Sequence, residues 1–270
     1  MFGPFGEAAI LGIVQGLTEF LPISSDGHLA LAEILFGLKG GLAFNVMLHA
    51  GTLLATLLVL RAEAGRALRG GLSSLVRPAR FRETPGGRDA LVVILATIPT
   101  AAVGLFLRQP VERWTESPLA IGLGFLGTTA ALVLAHFSLQ GDREQPTLAG
   151  ALLLGVAQGL AVLPGLSRSG TTIAVALWLG VRPRRAFELS MLMSVPAILG
   201  AVILEGRVAL GSALPWVPVL VVGAAVALGT GIVALRALRG VVDRGHFGWF
   251  AFWAGPLALA TMAMGLAWPR

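Results

Sequence analysis

The chain has 270 residues, with no cysteine, 13% charged and 56% hydrophobic residues, and a mean hydropathy of +0.83. A soluble domain of this size carries about a quarter charged residues, so the composition excludes one, and the absence of cysteine excludes disulfides and thiolate metal or redox chemistry. The formal charge of +6 is not read as nucleic-acid binding: no aromatic-basic motif accompanies it, and arginine excess in a membrane protein marks cytoplasmic loops.

The first apolar stretch, residues 6–38, is broken in its middle by "FLPISSDGHL". Its N-terminal side lacks a basic region and carries Glu7 and Glu19, so no cleavable signal peptide is expected. Three uninterrupted apolar segments follow near 42–60, 89–107 and 118–137. The basic segment 61–88 between the first two reads as a solvated, lipid-headgroup-facing loop. A second broken stretch, 148–181, contains "VLPGLSRSGTTI", and three more segments follow near 187–204, 215–235 and 248–268. Each unbroken segment approaches the 20 or so residues that cross a bilayer, whereas neither half of a broken stretch does. Broken backbone at membrane depth is tolerated only where protein or a watery cavity surrounds it, so both broken stretches are expected to be re-entrant helix hairpins. Pro99 and Pro196 are expected to kink their spans. Trp114, Trp216, Trp249 and Trp268 fall near span ends, where an interfacial belt belongs.

The two hairpins read as copies. Leu11-Gly12, Gln15-Gly16-Leu17, Ser24, Gly27 and Phe44 recur as Leu154-Gly155, Gln158-Gly159-Leu160, Ser167, Gly170 and Phe187, all at an offset of 143. Pro22 and Pro164 miss that register by one. One repeat is then a hairpin plus three spans, and an odd number of crossings inverts the second copy. The expected fold is an all-α polytopic membrane protein: an inverted-topology repeat with six transmembrane helices and two re-entrant hairpins. It forms one membrane domain over 1–270, with repeat one at 1–137 (hairpin 6–38) and repeat two at 148–270 (hairpin 148–181).

The loops 61–88, 138–147, 181–186 and 236–247 hold 14 of the 20 Lys and Arg. The opposite loops hold Lys39, Arg108, Arg113, Arg207 and Arg270, and Arg168 lies inside the second hairpin. The bias assigns the first set to the cytoplasm. Both termini then face outward, with the first hairpin entering from the outer side and the second from the inner side.

Gln15 and Glu19 are four apart and share a helix face that leads into Ser24, Ser25, Asp26, Gly27 and His28. An ionisable group at membrane depth marks function by default. Helix capping by the Ser-Ser-Asp run is the plainer reading, but it leaves Glu19 and His28 unexplained. In the second hairpin, Gly165, Ser167, Ser169, Gly170, Thr171 and Thr172 surround Arg168 at the start of a helix. Small residues, a helix N-terminus and a planar cation make an anion cradle, although Arg168 and Glu19 alone would also form a structural ion pair. The combined turns offer a hydroxyl nucleophile, a histidine, a carboxylate and an anion clamp, suited to phosphoryl transfer from an anionic lipid. Glu19, with Gln15, offers oxygen ligands for a hard divalent cation, Mg2+ or Ca2+, with substrate phosphates completing the shell. His49 is read as internally bonded or supporting, and Glu188 as a boundary ion pair with Arg184 and Arg185.

These motifs place the chain beside a family. It resembles bacterial undecaprenyl-diphosphate phosphatases, the integral membrane type linked to bacitracin resistance. Gln15 to Glu19 running into "FLPISS-x-GHL", Pro164 to Ile173 as "PGxSRSGxTI", and Phe44 to Ala55 carry the resemblance. Asp26 departs from it, since the family usually has Thr there. The resemblance implies Ser25 as nucleophile and His28 as acid/base or alternative nucleophile. Glu19 and Gln15 would serve the metal or polarise the attacking group. Arg168, with Ser167, Ser169 and Thr172, would hold the diphosphate. The implied reaction converts undecaprenyl diphosphate to the monophosphate and inorganic phosphate, recycling the lipid carrier for peptidoglycan synthesis. The implied setting is the bacterial cytoplasmic membrane, with the site open to the periplasm or outer surface. A homodimer stays open. The rival expectation is a transporter or flippase of a lipid phosphate, which needs the clamp but no positioned nucleophile.

Overall fold

The computed structural model describes residues 3–38, 40–138, 141–209 and 216–267, and the expectations for Lys39, residue 215, Trp268 and Arg270 fall outside them. The chain is all-α: α1 (Pro4–Thr18), α2 (Ser25–Phe36), α3 (Gly41–Val59), α4 (Arg61–Val76), α5 (Arg80–Glu83), α6 (Pro85–Trp114), α7 (Pro118–His136), α8 (Leu148–Leu160), α9 (Arg168–Trp178), α10 (Pro183–Ala209), α11 (Val217–Asp243) and α12 (Ala251–Ala267), the last entered through a 3-10 turn at Phe247–Phe250. Among the described residues, six helical segments are long and apolar enough to cross a membrane: α3, α6, α7, α10, α11 and Phe247–Ala267. These are the six segments expected from the sequence, and α6, α10 and α11 run longer than expected because a helix continues beyond the hydrocarbon when capping and packing allow. This is a multi-pass membrane protein.

The short helices form two pairs, α1 with α2 and α8 with α9, and each pair is wedged against spans from the other half of the chain. Gly12 and Gly16, four apart on α1, let it approach α11. A Cβ on Gly12 would lie 2.7 Å from the Gly223 carbonyl, and one on Gly16 would lie 2.6 Å from that of Ala227. Gly155 and Gly159 do the same for α8 against α6, where a Cβ on Gly155 would lie 2.1 Å from the Ala96 carbonyl. Small residues four apart are how helices come together in lipid, where water supplies no hydrophobic drive. The same polar link recurs at both contacts. Thr100 donates to the Gly155 carbonyl at 2.9 Å, and Thr230 to the Gly12 carbonyl at 3.4 Å. Both prolines sit inside their helices, and Pro99 lies against Gly155.

The Arg-rich ends are joined by buried charge. Arg185 on α10 pairs with Asp89 on α6 and with Glu188, one turn on, at 2.5 Å. Gln145 donates to Asp89 at 2.6 Å, and Arg184 bridges Glu188 and Asp243. Glu188 is thus the ion-pair residue expected from the sequence, within a larger network tying α6, α10, α11 and the 141–147 segment. The connection between α3 and α6 carries the helices α4 and α5, whereas only residues 210–216 connect α10 to α11.

Candidate active site

The first turn is set by its sequence. Pro22 lacks an N–H and disfavours helical backbone at Leu21, so α1 stops and α2 restarts at Ser25. Ser24 is the N-cap, its hydroxyl accepting the Gly27 N–H at 3.3 Å. The capping expectation therefore holds for Ser24, and it frees Ser25 for other use. Ser24 has φ +69 and ψ 108, a conformation costing an L residue about 1–3 kcal/mol and characteristic of functional turns. Ser25, the first residue of α2, donates its hydroxyl to Glu19 Oε2 at 2.6 Å. Gln15 Nε2 donates to the same oxygen at 3.2 Å, and Arg168 Nη2 to Oε1 at 2.6 Å.

Glu19 is thus a buried carboxylate joined to three partners. Burying it unpaired would be prohibitive, and the Arg168 guanidinium from the other hairpin offsets that cost. The structural pairing of Arg168 with Glu19 is realised, but it uses only part of the fork: Arg168 Nη1 is buried without a protein partner. A buried charged donor left open beside a hydroxyl is what an incoming phosphate oxygen requires.

The second turn is held from α7. Thr128 donates to the Gly165 carbonyl at 2.7 Å and accepts the Ser167 N–H at 2.8 Å. Gly165 has φ +87, and a Cβ there would meet the Ile121 carbonyl at 2.1 Å, so only glycine fits. Ser167 caps α9 by accepting the Gly170 N–H at 3.1 Å, the counterpart of Ser24. Ser169 lies 3.2 Å from Ser167 and donates to the Leu21 carbonyl at 3.4 Å, joining the two turns. The backbones also touch, since a Cβ on Gly27 would lie 2.9 Å from Gly165 Cα. Two helix N-termini, of α2 and α9, therefore start beside the same carboxylate and arginine, and their first N–H groups lack intrahelical partners.

The remaining residues are less uniform. Gln15, Glu19, Ser24, Ser25, Gly27, Gly165, Ser167, Arg168, Ser169 and Gly170 belong to the joined turns. Thr172 commits its hydroxyl to the Arg168 carbonyl and to Ser190 on α10, at 2.7 and 2.6 Å. The Thr171 hydroxyl is buried without a partner. His28 has no hydrogen bond to Ser25 or Glu19. Its Nδ1 meets the Ser24 carbonyl at 2.7 Å, and its Nε2 lies 3.1 Å from Trp253 Nε1.

His49 contributes more than its isolated position in the sequence suggests. Its Nδ1 is tied to the Asn45 carbonyl at 3.0 Å, and its Nε2 lies 4.0 Å from Glu19 and 3.9 Å from Asp26. The Asp26 side chain is 48% exposed, whereas that of Glu19 is buried. Sequence reasoning passed over Thr128 and Trp253. A lone Thr inside an apolar span and a Trp near a helix end carry no local signal of what they reach across the fold.

A divalent cation fits these donors within limits. Gln15 Oε1 is buried and lacks a partner, so it is a free oxygen ligand beside Glu19. Among the described residues no three His, Cys, Asp or Glu side chains are placed to hold a metal ion. A hard cation would therefore draw most of its shell from substrate oxygens and water.

A family profile described as bacitracin resistance protein BacA matches residues 8–260. A protein from Desulfatibacillum aliphaticivorans named undecaprenyl-diphosphatase is 39% identical over 258 residues, covering 91% of this chain and 93% of its own. Proteins of the same name from Carboxydothermus hydrogenoformans and Korarchaeum cryptofilum are 36% and 35% identical, each covering 96% of this chain, and 96% and 98% of their own. A match of this extent places the chain in the BacA bacitracin-resistance family.

Proposed function

We propose that this protein is an undecaprenyl-diphosphate phosphatase, hydrolysing the lipid diphosphate to undecaprenyl phosphate and inorganic phosphate. This returns the carrier lipid to cell-wall synthesis and confers resistance to bacitracin. The observation that carries the reading is the Ser25 hydroxyl donating to the buried Glu19 carboxylate at 2.6 Å, with a partnerless Arg168 Nη1 alongside. A carrier of lipid phosphates needs the cation but has no use for a hydroxyl aimed at a base.

Ser25 Oγ attacks the terminal phosphorus while its proton passes to Glu19. The Oγ–P bond forms, the bond from phosphorus to the bridging oxygen breaks, and undecaprenyl phosphate leaves with that electron pair. Glu19 passes that proton to the departing phosphate and, as a carboxylate again, takes one from the water that attacks the phosphoserine. It returns this proton to Ser25 Oγ as inorganic phosphate leaves. Arg168, swinging its fork between Glu19 and the phosphate, and the N–H groups at the starts of α2 and α9 stabilise the charge on the transferring group. Gln15 and Glu19 would hold a divalent cation, Mg2+ or Ca2+, which would supply charge neutralisation on the diphosphate.

The two hairpins are re-entrant halves of an inverted repeat, with repeat one over 1–137 and repeat two over 148–270. The 143-residue correspondence, the paired caps Ser24 and Ser167, and the reciprocal packing of α1 on α11 and α8 on α6 support this. The arginine-rich loops lie in the cytoplasm of a bacterium, and the site opens to the periplasmic or outer side of the inner membrane.

The test is phosphate release from undecaprenyl diphosphate by purified protein in detergent, with and without chelator. Wild type turns over and Ser25→Ala falls by about a thousandfold or more, the scale of removing a nucleophile. Wild-type protein that moves the lipid between vesicle leaflets but releases no phosphate would establish the carrier reading instead.

A further inference from the structure

We infer that Trp253 and His28 form a two-residue brace that holds the strained nucleophile turn, so that His28 acts as a positioning residue in its neutral Nδ1–H form. The inference deepens the reading of Ser25 as nucleophile and rests on it. The bonds at the two ring nitrogens define the tautomer between them. An indole N–H only donates, so His28 Nε2 accepts from Trp253 at 3.1 Å and carries no proton. The proton of the neutral ring then sits on Nδ1, which donates to the Ser24 carbonyl at 2.7 Å. That carbonyl also receives the His28 backbone N–H, at a longer 3.3 Å. The imidazole bond is therefore the shorter of the two on the Ser24 carbonyl.

Ser24 is the residue that needs holding. Among the described residues it is the only non-glycine with positive φ, and it directly precedes the hydroxyl that must meet Glu19. A small relaxation of Ser24 would rotate the start of α2 and carry Ser25 Oγ off Glu19.

The ring itself is fixed from both sides. Trp253 lies nearly parallel to it, centroids 6.2 Å apart and planes at 12°, and Phe125 meets it edge-on at 5.3 Å and 82°. Trp253 projects from α12 on the lipid-facing surface, where an indole N–H without a partner is costly. Its donation to His28 answers that need. The brace thus runs from the last span, through a histidine, to the turn before the nucleophile.

The test is Trp253→Phe, which keeps an aromatic ring but removes the donor, studied in full-length protein in proteoliposomes. The chain has four histidines, so the His28 ring nitrogens can be assigned in 15N-histidine spectra by their loss in His28→Gln. Wild type should show His28 as the Nδ1–H tautomer. Trp253→Phe should give a mixture of tautomers, with kcat about tenfold lower and KM within twofold. A wild-type His28 carrying its proton on Nε2, or on both nitrogens, overturns the brace. A Trp253→Phe protein with wild-type kcat also overturns it. The spectra need no turnover, so failure of the phosphatase reading and failure of the brace are separately visible.

Discussion

Glu19 organises the site because it is the one carboxylate on which both hairpins converge. Ser25 and Gln15 approach from its own hairpin, and Arg168 approaches from the other. Glu19→Gln keeps the shape but supplies an amide where Ser25 needs a base. The expected loss in kcat is about 10²–10⁴-fold, the usual contribution of a positioned base, with protein still folded by circular dichroism. Asp26 plays a different part. Its half-exposed carboxylate stands 3.9 Å from His49, where its charge would oppose an approaching diphosphate. Asp26→Thr is expected to lower KM by about two- to fivefold with little change in kcat, since an exposed charge acts weakly. Much of this was legible in the sequence: Glu19, Ser25 and Arg168 stand out because charge and hydroxyl are rare in such apolar surroundings. The place of His28 was not, because the direction a histidine faces depends on Trp253, 225 residues away in the chain.

The helix pairs set the geometry in which Ser25 and Arg168 meet. Each restarts after its turn on a capping serine, so the residue following each cap, Ser25 or Arg168, is delivered to the centre in fixed register. Thr128 on α7 holds the second turn through two backbone groups. Thr128→Val preserves volume but strands a buried carbonyl and a buried N–H, each costing about 1–3 kcal/mol. The expected results are a lower thermal midpoint in detergent and weaker substrate binding through the displaced Arg168. Breaks at "LPISS" and "LPGLS" were readable because proline and small polar residues interrupt apolar runs. The reciprocal packing of α1 on α11 and α8 on α6 was not, since Gly12-x-x-x-Gly16 states that something approaches closely without naming it.

Across the whole molecule, the joined turns and the Asp89–Arg185–Glu188 network link the two halves of the chain at different places. Removing one member of a buried ion network leaves charge uncompensated, so Arg185→Ala is expected to cost about 3–5 kcal/mol, read as loss of folded protein on size-exclusion chromatography. The six spans were visible from apolar length alone. The extent of the ion network was hidden, because its members come from four separated stretches. The native absence of cysteine makes topology directly measurable. A single cysteine at Arg69 should resist an impermeant thiol reagent in intact cells, and one at Glu116 should react. The most direct test of the central claim is rapid quench with undecaprenyl diphosphate labelled at its terminal phosphate, stopped in both acid and base, followed by peptide mapping. Label is expected on Ser25, stable to acid and lost on chase. Acid-labile label on His28, or full turnover with no protein-bound phosphate at any time, would contradict it.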